Sequence, residues 1–226
     1  MRAGVLGTVD GTFDAVGSVT ETVTEDDTEL ERCLTVDRVF SLPSGEMAFA
    51  GRAAADELVD RTEATIEGDD IAISETTRTV TRYTDFAGVT GEFVVVGSGD
   101  GTFAFDLVAA ETDTDIERAT VDLDAVFDEH GDATPWKAGF FGASDDGVTG
   151  LFHGADLRES HDLQGILADA RLNQLGLSHE YGDAEVKMTA ARSGYVEVYR
   201  PTDFDSADYL AYLSDEVLPH VEGQTP

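Results

Sequence analysis

The sequence predicts an α+β fold: an antiparallel sheet built from successive β-hairpins, with helices packed on one face. Two observations carry this expectation. Apolar runs of strand length recur along the chain, separated by turn clusters such as Gly68-Asp69-Asp70, Gly97-Ser98-Gly99-Asp100-Gly101 and Ser144-Asp145-Asp146-Gly147. Runs joined by such short connections pair antiparallel, because a parallel pair needs a long crossover. Helical periodicity is confined to a few segments, and helices returning between hairpins must cover a sheet face.

The first thirty residues are rich in Thr, Gly and acid, with Val5, Val9, Phe13, Val16, Val19 and Val23 at irregular spacing. They read as short strands ending at Glu25-Asp26-Asp27. A strand is expected over 33–40, before the turn Pro43-Ser44-Gly45. Residues 53–61 read as a short helix, since Ala-Ala-Ala-Asp-Glu-Leu has high helix propensity. Residues 62–66 and 71–83 form a hairpin, and 92–96 and 102–108 form two strands about a glycine-rich turn. The acidic break at 111–115 is the best boundary, giving a mainly-β part (1–112) and an α+β part (113–226) that can also be one continuous domain.

Further on, a strand at 119–123 leads into a short helix capped by Asp122 or Asp124 and ended by His130 and Gly131. Residues 136–142 and 147–153 form another hairpin. Ser160 or Asp162 then caps a helix in which Leu163, Ile166, Leu167 and Ala170 fall at helical spacing, with Gly176 ending it. Residues 184–190 and 194–199 make a third hairpin, stopped by Pro201. Ser206 caps a final helix with Tyr209, Leu213, Val217 and Val221 on one face. From residue 92 the pattern is hairpin then helix, three times over.

Composition bounds the function. The chain has 226 residues, 47 acidic against 14 basic, for a net charge of −33; with 41% hydrophobic residues it can still bury a core. That separates it from disordered chains, in which high charge accompanies low hydrophobicity. It also excludes an ordinary basic nucleic-acid binder. Only Lys137 and Lys187 are lysines, the other twelve basic residues being Arg, and the acids are spread over the whole length. This composition resembles that of proteins from halophilic archaea with molar salt inside the cell. Like charge opposes the compact state in dilute buffer. At roughly 1 M salt the Debye length is about 3 Å and the repulsion is screened. The charge is therefore read as adaptation to solvent. The alternative, a DNA mimic or a grip on a basic partner, would gather the carboxylates on one face.

No run reaches membrane-spanning length, and Asp10 and Asp14 interrupt any leader-like segment, so a cytoplasmic location with no membrane partner is expected. The lone Cys33 has no disulfide partner and reads as a small strand residue. The glycine-rich turn at 97–101 lacks the GxGxxG spacing of a dinucleotide loop, and no GxSxG or HExxH is present. With so many acids, no carboxylate pair of a glycosidase can be singled out. Cofactors are expected to be none.

Three functional readings remain. The leading one is a non-enzymatic binding protein. Strand alternation places Tyr195, Glu197 and Tyr199 on one face, near Lys187 and flanked by Arg192 and Arg200, so that Lys187, Arg192, Tyr195, Tyr199 and Arg200 form a local reversal of charge able to meet a protein or nucleic-acid partner. The same face is equally a half-buried sheet with Tyr as cross-strand partners. Arg78, Arg82 and Tyr83 make a weaker patch: Arg78, Val80 and Arg82 share a strand face and could meet a common anion, though pairing with local carboxylates is the favoured reading, and Trp136 is read as core. The second reading is a metal-dependent hydrolase using His153, Asp156 and His161, whose imidazoles and carboxylate suit a zinc-like ion able to acidify water. The third is a homo-oligomeric structural subunit paired through an exposed hairpin edge. The charge itself gives a prediction. Dialysis to ~50 mM salt, where screening reaches beyond about 10 Å, should lower the melting temperature or unfold the chain; a melting curve indifferent to salt overturns the solvent reading.

Overall fold

The computed structural model describes residues 1–141, 149–159 and 171–223. It contains twelve strands: β1 (Ala3–Asp10), β2 (Val19–Glu25), β3 (Thr28–Ser41), β4 (Met47–Glu67), β5 (Asp70–Val89), β6 (Phe93–Val96), β7 (Asp115–Arg118), β8 (Thr134–Phe141), β9 (Thr149–His153), β10 (Arg171–Tyr181), β11 (Ala184–Ala191) and β12 (Tyr195–Arg200). The α-helices among the described residues are α1 (Phe103–Thr112), α2 (Leu123–Glu129) and α3 (Ser206–Glu216). The strands form one antiparallel sheet in the order β2-β3-β4-β5-β6-β1-β12-β11-β10-β8-β9, with β7 also paired to β1. The α+β character expected from the sequence is present. Among the described residues no helix is long and apolar enough to cross a membrane.

Strand alternation generates two cores. On β1 and β6, Leu6, Phe93 and Val95 enter one cluster, while Val5, Val94 and Val96 enter the other. Tyr209, Leu210, Tyr212 and Leu213 of α3 and Leu123 and Val126 of α2 belong to the first, whereas Ala104, Phe105, Leu107 and Val108 of α1 belong to the second. Helices thus lie on both faces rather than one. The reason is visible in the run Phe93-Val94-Val95-Val96, all buried: a strand apolar at every position needs cover on both sides.

Local readings fare differently. The turn-and-strand pattern at 62–83 is the tip of the long β4–β5 hairpin, with Gly68 at a positive φ of 66°. Asp122 caps α2 through the backbone N–H groups of Asp124 and Ala125, and His130 closes it. The last helix is capped by Asp205, which forms a capping box with Asp208, rather than by Ser206. Residues 53–61, read as helix, lie in β4. Their alanine-rich propensity is overridden by pairing with the Thr- and Val-rich β5, and with β3 as far as Ala55. Residues 102–108, read as strand, fall largely in α1, whose buried Ala104, Phe105, Leu107 and Val108 follow helical spacing. With that strand gone, the three-fold alternation of hairpin and helix fails at its first unit. The helix read from Ser160 or Asp162 lies outside the described residues up to 170, and its last part, 171–176, is in β10.

Beyond Asp56 and Arg82 the β4–β5 hairpin has lost its strand neighbours, since β3 pairs with β4 only as far as Ala55 and β6 meets β5 only from Phe86. It continues as a two-stranded arm. Arg78 pairs with Glu63 and Arg82 with Glu57 across it, so these arginines bind their own hairpin rather than a common anion.

β1 joins the two halves. One edge pairs with β6; the other pairs with β12 over Ala3–Val5 and then with β7 over Gly7–Asp10. At the changeover the Leu6 N–H donates to the Gly194 carbonyl and the Ala119 N–H donates to the Leu6 carbonyl. Gly194 has φ +83°, and a Cβ there would stand 2.6 Å from the Ala119 carbonyl oxygen. Gly194→Ala should therefore cost about 2 kcal/mol or more through backbone strain and displaced pairing. Chemical denaturation in concentrated salt measures it, and an unchanged midpoint would remove this glycine from the joint.

Candidate functional site

On β10, Leu175 and Leu177 enter the core under α2 and α3, so Gly176 and Ser178 face the opposite way. The register between β8 and β10 slips beside Gly176, where Lys137 and then Pro135 oppose successive β10 residues and Trp136 is the extra one. The indole fills the space a side chain would need: a Cβ on Gly176 would lie 2.7 Å from Trp136 Cε2. Its Nε1–H donates to the Leu177 carbonyl at 3.2 Å. Trp136 is thereby fixed on the sheet face opposite α2 and α3, half-buried but outside either core cluster.

Around this ring the sheet gathers cations and aromatics. Lys187 Nζ stands 4.5 Å from the ring centroid, and Tyr199 meets the ring edge-on at 5.8 Å. His153 lies 6.2 Å away. Lys137 is in register with both Gly176 and His153. The chain's two lysines and its single tryptophan therefore occupy one patch. A cation over an indole contributes about 0.5–1 kcal/mol where exposed and more as water is excluded.

The five residues read as partner-binding separate into three environments. Lys187 and Tyr199 sit at the Trp136 patch, and exposed Arg200 is in register with Lys187. Tyr195 packs partly against the core beneath α1, and its hydroxyl donates to Glu197. Burial, then that carboxylate, pushes its phenol up to about 12. Arg192 is a structural clamp: it donates to the Leu172 carbonyl, to Asp124 and to Glu222, with distances between 3.0 and 3.1 Å. Of the residues read as metal ligands, His153 ends β9 beside Trp136, Asp156 accepts from the Arg158 backbone N–H at 2.9 Å, and His161 lies outside the described residues.

A second constellation was not legible in the sequence. His179, the neighbour of Ser178, points to the α3 side of β10, where its Nε2 lies 2.9 Å from the Tyr212 hydroxyl. His130, at the end of α2, packs its ring edge-on against His179 with centroids 4.5 Å apart. Its Nδ1 stands 2.9 Å from the Val126 carbonyl and its Nε2 2.8 Å from the carboxylate of Glu216, the last residue of α3. Burial, then the neighbouring His130, holds the His179 imidazole below its ordinary value. These residues line a concavity of about 500 Å3 with Asp128, Glu129 and Glu180. Among the described residues His130, His179 and Glu216 are the one group of three His, Cys, Asp or Glu placed to share an ion. They come from two helix ends and a strand, with His130 and Glu216 separated by 86 positions. The sequence signals His130 only as a helix stop.

No protein-family model matches the chain, and no curated protein matches it, so its function must be read from these side chains.

Proposed function

We propose that this is a non-enzymatic binding protein, adapted to concentrated salt, that holds an acidic segment of a protein partner against the sheet face around Trp136. One observation carries the reading. In a chain of 47 acids, both lysines flank the single tryptophan on one sheet face, and neither makes an ion pair among the described residues. Several arginines elsewhere are engaged with carboxylates: Arg32 with Glu21, Arg52 with Asp37, Arg78 with Glu63, Arg82 with Glu57 and Arg192 with Asp124. Two cations without a carboxylate partner among the described residues thus stand where the aromatics are. Tyr199 supplies an exposed ring and Arg200 a further cation.

A protein partner is favoured over nucleic acid by the state of the indole. In molar salt phosphate contacts weaken steeply, and base stacking would have to supply the affinity. Gly176 and Lys187 already engage the Trp136 ring, which leaves Tyr199 as the exposed platform. The tagged chain should capture protein from a cell extract at about 1 M salt, where exposed ion pairs are largely screened and contact with the Tyr199 and Trp136 rings must supply most of the affinity. The Lys187→Glu, Tyr199→Ala double variant should lose that capture. Capture abolished by nuclease transfers the site to nucleic acid and overturns the reading, as does equal capture by the variant.

A second surface supports self-association. Near the tip of the β4–β5 arm, Ile66 pairs with Ile71 and Ile73 with Ala64, placing the three isoleucines on one face at 84%, 64% and 70% exposure. A two-stranded ribbon with an apolar face is poorly stable alone and is readily covered by its own copy. Light scattering at high salt should give a mass above one chain, falling to one chain in Ile71→Thr, Ile73→Thr, which keeps strand propensity. A wild-type monomer would remove this surface.

A further inference from the structure

We propose that His130, His179 and Glu216 bind a divalent transition-metal ion of the zinc class. The donor set comes first. Two imidazoles and a carboxylate, with ligand atoms all within 4.8 Å of one another, match the borderline donors that such ions prefer. Ligands on one tetrahedral zinc stand about 3.4 Å apart for bonds of about 2.1 Å.

The surroundings orient the donors as a metal site requires. A carbonyl oxygen only accepts, so the Val126 carbonyl holds a proton on His130 Nδ1, and an ion at the cluster would take the place of the proton that Nε2 shares with Glu216. The buried Tyr212 hydroxyl holds the His179 ring through Nε2. Glu216 closes an eleven-residue helix, and the negative end of the helix dipole adds to its carboxylate in favouring a cation. The side chains of His130 and Glu216 are only 11% and 25% exposed, unlike the solvated acids that cover the rest of the surface. Because the three residues line the concavity, a bound ion would keep a coordination position open to solvent or to a small ligand.

The competing explanation is that the His130–Glu216 contact is an ion pair and nothing more. Magnesium and calcium are hard ions that favour oxygen ligands, so the two imidazoles separate this site from the diffuse attraction of 47 carboxylates for any divalent cation. The site also lies on the opposite sheet face from Trp136, and its test is independent of partner capture.

The test uses full-length protein stripped with chelator and held at about 1 M potassium chloride to screen diffuse binding. Titration with Zn2+ by calorimetry, and with Co2+ by visible absorption, should give one saturable site per chain with an imidazole-type cobalt band. Glu216→Gln, which preserves shape and a hydrogen bond to His130, and His179→Ala should each weaken it at least tenfold. Tyr212→Phe, which keeps the buried ring and its contact with Tyr181 but removes the hydroxyl that meets His179, should weaken it about 10–100-fold, the usual effect of losing a group that orients a ligand. Circular dichroism and Trp136 emission serve as fold controls, and Glu216→Gln keeps the test decisive if His179→Ala unfolds. Absence of a saturable site, equal affinity in Glu216→Gln, or displacement by equimolar Mg2+ would each overturn the assignment and leave an ion pair alone.

Discussion

The whole architecture hangs on the double pairing of β1. A strand with partners on both edges is ordinary, but β1 divides one of its edges between two strands, β12 and β7, from opposite ends of the C-terminal half. That division is possible only because Gly194 turns away at the changeover and lets Leu6 bond to two different chain segments. Without it, β2–β6 and β8–β12 would be two sheets, each with an exposed edge. Such edges invite pairing with other chains. With it, Val5 and Leu6 feed opposite cores from adjacent positions, and α1 and α3 find cover on opposite faces of the same sheet.

The alternation that builds two cores also separates the two candidate sites. Ser178 and His179 are neighbours, yet Ser178 shares its face with Lys187, while His179 meets Tyr212 beneath α3. Gly176 is the pivot on the other side: only a residue without a Cβ lets Trp136 lie over β10. Both sites are therefore held by β10, a strand paired along both edges with β8 and β11. Side chains on a doubly paired strand are positioned more tightly than side chains on a loop.

What was legible in the sequence follows from the range of the interactions involved. Asp122 as a helix cap, Gly68 at a hairpin tip and the Val94–Val96 run depend on neighbours a few residues away, and the sequence reports them directly. Residues 53–61 show the opposite case. Their helix propensity is real, but each residue pairs with a β5 partner well beyond the reach of a helical turn, from Ala53 with Thr84 to Arg61 with Thr76, and the pairing decides. For 102–108 the signal was present and misjudged, since apolar residues at 104, 105, 107 and 108 follow a helical period and only the Phe-Ala-Phe opening imitates a strand. Lys187 and Tyr199 meet at one patch because they stand on paired strands close in sequence. Arg192 was grouped with them because it is near in the chain, although the sheet sends it to Asp124 and Glu222. The His130, His179 and Glu216 cluster had no short-range signature at all, since each residue arrives from a different element.

The charge of −33 also acquires structure when followed residue by residue. An exposed Arg–carboxylate pair stabilises by only a few tenths of a kcal/mol, about 0.2–1 at most, and concentrated salt weakens it further. The pairs along β2–β5 therefore do little for stability, but they leave those arginines no net pull on an outside anion. Lys137 and Lys187 are spared this neutralisation by their position on a face where Trp136, Tyr199 and Gly176 occupy the ground that carboxylates hold elsewhere. Against so acidic a background, this face sets two lysines without carboxylate partners among the described residues beside the tryptophan. The bulge that inserts Trp136 beside Gly176 is what creates this arrangement.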